Sequence, residues 1–199
     1  MEERDIDCLL VHRWMNQYYL AGVVQHLPWY PDVNSQTGEA PVMLFKEGPP
    51  VYVCAYNGVN SVKEQSWIKD VRAYDRDSSI AAMSFASSPL SVYEYVAGIL
   101  RERELEAGNI GIEEDCCTVS TFRAFQACLP KAGFKNAREI FDIARTVKEP
   151  EEIQLIRMSV AIAEAGMKVG MDMAKPGLKY QDVRNFARNE IWQLRISGK

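Results

Sequence analysis

RTVKEPEEIQLIRMSVAIAEAGMKVGMDMAKPGLKYQDVRNFARNEIWQ, Arg145 to Gln193, is the stretch on which the organisation of this chain turns. Pro150 suits a first helical turn, where its missing N–H costs nothing, and Glu149, Glu151 and Glu152 suit the positive end of a helix dipole. Ile153, Ile156, Val160, Ala163, Met167 and Met171 then recur at spacings of three and four, which predicts one apolar stripe on a long helix. Lys175-Pro176-Gly177 is a stop, and a second helix follows with Val183, Phe186, Ala187, Ile191 and Leu194 on one face. Two amphipathic helices without a sheet cannot bury both stripes by themselves. They must meet the remainder of a domain, a partner chain or the surface of what precedes them.

What precedes them reads as an α/β layer. Asp7-Cys8-Leu9-Leu10-Val11 is an apolar run of the kind buried on both sheet faces. Val42–Phe45 and Val51–Cys54 are β-rich runs separated by Lys46-Glu47-Gly48-Pro49-Pro50, which predicts a hairpin. Ser88-Pro89 is expected to open a helix with Val92, Tyr93, Val96, Ile99 and Leu100 inward, stopped at Gly108. Asn109–Glu113 is a further strand. Ser120 is expected to cap a helix bearing Phe122, Phe125 and Leu129, and Ala137–Phe141 is expected to be a last strand. The order predicts a mixed β-sheet flanked by helices over residues 1–143 and a helical segment over 144–199. The expected core includes Leu9, Leu10, Leu44, Val53, Val96, Leu100, Ile110, Ile112 and Phe125.

Composition narrows the classes. A net charge of −4 over 199 residues carries no nucleic-acid footprint. The apolar runs fall far short of the ~20 residues a membrane span needs, and the acidic start Met1–Asp5 resembles no secretion signal, so a cytoplasmic protein is expected. Cys8, Cys54, Cys116, Cys117 and Cys128 lack CxxC spacing and read as reduced thiols. The vicinal Cys116-Cys117 pair reads as half-buried small residues after a strand rather than as a redox or soft-metal site.

The junction Arg145-Thr146-Val147-Lys148-Glu149-Pro150-Glu151-Glu152-Ile153, with Ile156-Arg157 and the Lys175-Pro176-Gly177 break, resembles the opening of the catalytic domain in the creatinase, prolidase and Xaa-Pro aminopeptidase family of pita-bread metallohydrolases. Asp7–Val11, the run Asn16-Gln17-Tyr18-Tyr19-Leu20-Ala21-Gly22 and Ile110-Gly111-Ile112-Glu113 are similar to motifs of the creatinase-type N-terminal domain. The resemblance implies a ribonuclease H-like N-terminal domain over residues 1–143, then a linker and the first helices of a truncated catalytic domain over 144–199. It implies a homodimer acting on a proline-containing peptide or small amide, with two divalent cations (Mn, Co or Zn) in the full-length peptidase, although creatinase shares the fold without metal.

The family's metal ligands are expected beyond Lys199. Residues 1–199 are therefore expected to be inactive alone, with no catalytic or metal-ligating residue. Asp172 and Asp182 read as solvated helix carboxylates. The loop His26-Leu27-Pro28-Trp29-Tyr30-Pro31 suits a substrate-pocket rim through His26, Trp29 and Tyr30, or equally a loop packed on its own domain. The alternative function is a stand-alone interaction module, a scaffold or peptide-binding subunit built on the same domain. A reading frame continuing past Lys199 with Asp, Asp, His, Glu and Glu at family spacing would separate the two.

Overall fold

The computed structural model describes residues 1–23, 37–55, 58–74 and 92–197. The chain divides into two compact units, Met1–Ala144 and Arg145–Lys199.

In the first unit the strands β1 (Cys8–Arg13), β2 (Thr37–Phe45), β3 (Val51–Ala55), β4 (Asp70–Tyr74), β5 (Asn109–Ile112) and β6 (Gly133–Asn136) form one sheet in the order β4-β3-β2-β1-β5-β6. The pairs β1–β2 and β2–β3 are antiparallel, whereas β1–β5, β5–β6 and β3–β4 are parallel, so the sheet is mixed. Leu9 pairs with Leu44 and Cys8 with Ile110 in this single sheet.

Helices cover both faces, which explains why Cys8-Leu9-Leu10-Val11 is apolar throughout rather than alternating. Side chains of successive strand residues point to opposite faces. Cys8 and Leu10 therefore join Val96 and Leu100 of α3 (Val92–Glu102) and Phe125 of α4 (Val119–Cys128). Leu9 and Val11 join Ala21 of α1 (Trp14–Ala21), Val62 of α2 (Val59–Gln65) and Phe141 of α5 (Arg138–Thr146). The expected core is buried, apart from Leu44, which is half-buried against the second cluster.

Three local expectations are corrected. Ala137–Phe141 is not a strand: β6 ends at Asn136, whose side-chain oxygen accepts from the Arg138 amide (2.9 Å) at the start of α5. Ala137 and Phe141 are buried at helical, not strand, spacing. Helix α4 is capped by Thr118, whose hydroxyl accepts from the Thr121 amide at 3.1 Å, and Ser120 lies inside the helix. Helix α3 ends at Glu102, well before Gly108, and Glu104 just beyond it takes the left-handed φ of 59°. There the Leu105 amide donates to the Leu100 carbonyl (2.9 Å) and the Glu104 amide to the Arg101 carbonyl (3.0 Å). Those two bonds make a Schellman stop with Glu in the place glycine usually takes. The expected helix start at Ser88-Pro89 lies outside the described residues.

In the second unit α6 (Pro150–Met173) begins with a capping box: Glu149 occupies the N-cap, and the Glu152 carboxylate accepts from the Glu149 amide at 2.9 Å. Helix α6 leads through Gly177 (φ 94°) into α7 (Tyr180–Ser197). The two helices meet through Gly166 and Gly170, both buried. A Cβ on Gly166 would lie 2.5 Å from Ile191 Cγ1, and one on Gly170 would lie 3.3 Å from Ala187 Cβ. Val183, Phe186, Ala187, Ile191 and Leu194 are all half-buried on α7, as are Asp182, Asn185 and Glu190. The stripe read on α6 is not the face that α7 covers. Ile156, Val160, Met167 and Met171 stay exposed, at 49%, 50%, 63% and 69%.

Candidate functional site

The parallel strands β1, β5 and β6 end together, and polar residues gather at their carboxyl edge. This is where open α/β sheets usually place their ligand sites. The centre of the cluster is Glu113, the residue after β5, which is 1% exposed. A carboxylate taken out of water must recover hydrogen bonds, and Glu113 recovers three. One oxygen accepts from the backbone amides of His12 (2.7 Å) and Arg13 (2.8 Å), and the other accepts from the Asn16 side-chain amide.

These bonds hold the corner where β1 turns directly into α1. Arg13 is the N-cap of α1 and gives no side-chain cap of its own. Gln17, buried one residue beyond Asn16, donates to the carbonyls of Val11 and Ala40, both at 2.9 Å. The backbone carbonyl of Glu113 also accepts from the amides of Cys116 (3.1 Å) and Cys117 (2.9 Å), closing the turn into α4. One residue thereby joins segments 100 positions apart. Burial pushes the Glu113 carboxyl above the usual carboxylate range, against the hydrogen bonds from Arg13, Asn16 and His12 and the nearby Arg13 charge.

Charged neighbours surround this centre in pairs. Asp115 meets Arg13 at 2.8 Å and Arg138 at 3.7 Å, and Arg138 reaches Asp142 at 3.5 Å. Asn136 donates to Glu114 at 3.0 Å. Beside them is a cavity of about 190 Å³ lined by Ile112, Glu114, Cys117, Val119 and Phe122. Burial, then the Glu113 and Asp115 charges, push the Cys116 thiol up to about 12, and burial raises Cys117. Both stay protonated near neutral pH, which makes them poor nucleophiles and poor soft-metal ligands.

The chemistry this cluster offers is anchoring. Its carboxylates pair with guanidiniums, with backbone amides or with the side-chain amides of Asn16 and Asn136. Among the described residues no group of three or more His, Cys, Asp or Glu could hold a metal ion. Asp172 is exposed, and Asp182 accepts from the Lys179 amide (3.1 Å) at the start of α7. His26, Trp29 and Tyr30, the expected rim, lie outside the described residues. They follow α1, the helix that Glu113 and Gln17 fasten. The motifs Ile110–Glu113 and Asn16–Gly22 are each legible in the sequence, but their contact is not. The available signal was a lone Glu at the end of an apolar strand, a residue that is rarely buried without a partner.

Residues 1–147 match the Creatinase/Prolidase N-terminal domain. The chain is similar to a protein described as putative dipeptidase YkvY of Bacillus subtilis (strain 168), 20% identical over 198 residues, covering all of this chain and 49% of the relative. It is also similar to a Xaa-Pro dipeptidase of Lactobacillus helveticus, 27% identical over 156 residues, covering 78% of this chain and 38% of the relative. Its fold is that of the corresponding part of a Xaa-Pro dipeptidase from Bacillus anthracis, with a TM-score of 0.72 and 18% identity, over 96% of this chain and 46% of that one. The chain spans about half the length of the curated relatives it matches, or less.

Proposed function

We propose a function from the premise that this chain belongs to the Creatinase/Prolidase N-terminal domain family. It is the N-terminal, non-catalytic part of a Xaa-Pro dipeptidase- or aminopeptidase-like metallohydrolase. The observation that carries this reading is the family match over residues 1–147 in a chain spanning about half of its relatives. On this reading residues 1–143 are the creatinase-type domain, and 144–199 are a linker and the first helices of the catalytic domain.

The work assigned to this part is self-association into a homodimer and control of access to the substrate pocket. The rim is His26, Trp29 and Tyr30, in the segment after the α1 corner. The substrate class is a proline-containing peptide or small amide, in the cytoplasm. Among the described residues no helix is long and apolar enough to cross a membrane. The described residues do not fit a pair of divalent cations such as Mn, Co or Zn, so no step through a metal is assigned to them.

The test is an assay of the 199-residue chain on Xaa-Pro dipeptides with Mn²⁺, Co²⁺ or Zn²⁺. No turnover is expected. Turnover that a chelator abolishes would overturn the non-catalytic reading.

A further inference from the structure

The cavity beside Glu113 has walls and a charge that the anchoring cluster does not use. Among its described lining residues, Ile112 at the end of β5 is buried, while Val119 and Glu114 are exposed and mark its mouth. Val119 and Phe122 stand three positions apart on α4 and so share one face. The walls are held from behind. The Phe122 ring meets Phe134 edge-on with centroids 5.4 Å apart, and the Cys117 amide donates to the Glu113 carbonyl at 2.9 Å. The protonated Cys117 thiol behaves as a small apolar group. At about 190 Å³ the space exceeds the roughly 150 Å³ in which an apolar cavity takes up benzene. One ring with a short arm therefore fits.

The mouth carries a single charge, that of Glu114. The acids on either side of it are already answered: Glu113 accepts three hydrogen bonds, and Asp115 meets Arg13 and Arg138. Glu114 accepts only from the neutral side-chain amide of Asn136, at 3.0 Å, and among the described residues no cation pairs with it. We propose that this cavity binds a small primary amine, with the apolar body against Ile112, Val119 and Phe122 and the ammonium on the Glu114 carboxylate. A preformed apolar pocket with one placed polar group is the usual form of a small-ligand site. An anion would be repelled by Glu114, and among the described residues no cluster of ligands suits a metal ion. A free amine and the N-terminal residue of a peptide with an apolar side chain offer the same chemistry.

The experiment titrates the full 199-residue chain, labelled with ¹⁵N, with three probes of one shape at neutral pH: benzylamine, benzyl alcohol and benzoate. Benzylamine should give saturable shifts at the amides of Ile112, Cys117, Val119 and Phe122. Benzyl alcohol should shift the same amides with an affinity about two- to fivefold weaker, the scale of one exposed ion pair, and benzoate should be weaker still. Glu114→Gln keeps an oxygen for Asn136 and should bring benzylamine down to the level of benzyl alcohol, whose own affinity stays unchanged. Glu114→Lys should invert the order, so that benzoate binds better than benzylamine, which a folding defect would not do. L-Phenylalaninamide distinguishes the sources: affinity equal to that of benzylamine supports a peptide N-terminus, and loss of binding supports a free amine. No saturable shift at these amides with tens of millimolar benzylamine overturns the site. Equal affinity for the three probes, or benzylamine binding indifferent to both Glu114 variants, overturns the assignment of an amine.

Discussion

Replacing Glu113 with Ala removes the acceptor of three buried or half-buried donors, the amides of His12 and Arg13 and the side-chain amide of Asn16. A buried donor left without its partner costs roughly 1–3 kcal/mol. Three would cost up to about 9 kcal/mol if nothing relaxed. Two effects reduce that figure. The variant no longer buries a carboxylate whose desolvation opposes folding, and the space vacated at the sheet's edge can admit water to some of the donors. A net loss of about 2–5 kcal/mol follows, in the range expected when one member of a buried polar network is removed.

Glu113→Gln keeps an oxygen for the two backbone amides but turns an –NH₂ toward the Asn16 –NH₂. It should lose about 1–2 kcal/mol. Asn16→Asp added to Glu113→Gln supplies an acceptor opposite that –NH₂ and should recover more than half of the loss. The assay is urea unfolding by circular dichroism, combined with hydrogen exchange at the His12 and Arg13 amides, whose protection should fall in Glu113→Ala and return in the double variant. A Glu113→Ala protein within about 0.5 kcal/mol of the parent, the scatter of ordinary surface changes, would refute the reasoning. So would a double variant no more stable than Glu113→Gln.

The same carboxyl sets a pH dependence. Its folded-state pKa is raised, so the folded chain binds the proton more tightly than the unfolded chain. Its contribution is therefore fully present below the ordinary Glu range and is lost as pH rises through the folded value. The stability difference between the parent and Glu113→Gln should shift in the parent's favour as pH falls through that window, and a difference constant with pH would contradict it. Glu104→Gly should stabilise the first unit by roughly 0.5–1 kcal/mol in thermal or urea unfolding, because glycine takes φ 59° without the Cβ penalty. Gly166→Ala should destabilise the α6–α7 hairpin by about 1–3 kcal/mol, since its Cβ would sit 2.5 Å from Ile191. Gly170→Ala, whose Cβ would meet Ala187 at 3.3 Å, should be neutral or gain up to about 1 kcal/mol of helix propensity. The reverse ranking of the two alanine variants by unfolding would show that the helices do not pack through Gly166.

The elements determined by the sequence itself are those whose signal is local. Cys8-Leu9-Leu10-Val11 had to be a strand buried on both faces because it is short and apolar throughout, and Pro150 amid acids followed by apolar residues at spacings of three and four had to begin a helix. The family resemblance rests on such stretches as well. Tertiary structure decided everything that depends on which distant groups meet. Ile140 and Phe141 suit a strand by composition, yet Asn136 caps a helix there and Ala137 and Phe141 fill the layer beneath the sheet. Glycine was the expected stop for α3, but the bonds from Glu104 and Leu105 back to α3 close it earlier. The face of α6 that packs is the one whose glycines let α7 approach, not the one richest in Ile and Met, because close backbone contact rewards the absence of a side chain. Glu113 carried no local mark of its partners. A buried carboxylate is tolerable only where donors converge on it, and the convergence of His12, Arg13 and Asn16 exists only once β1 and β5 lie side by side.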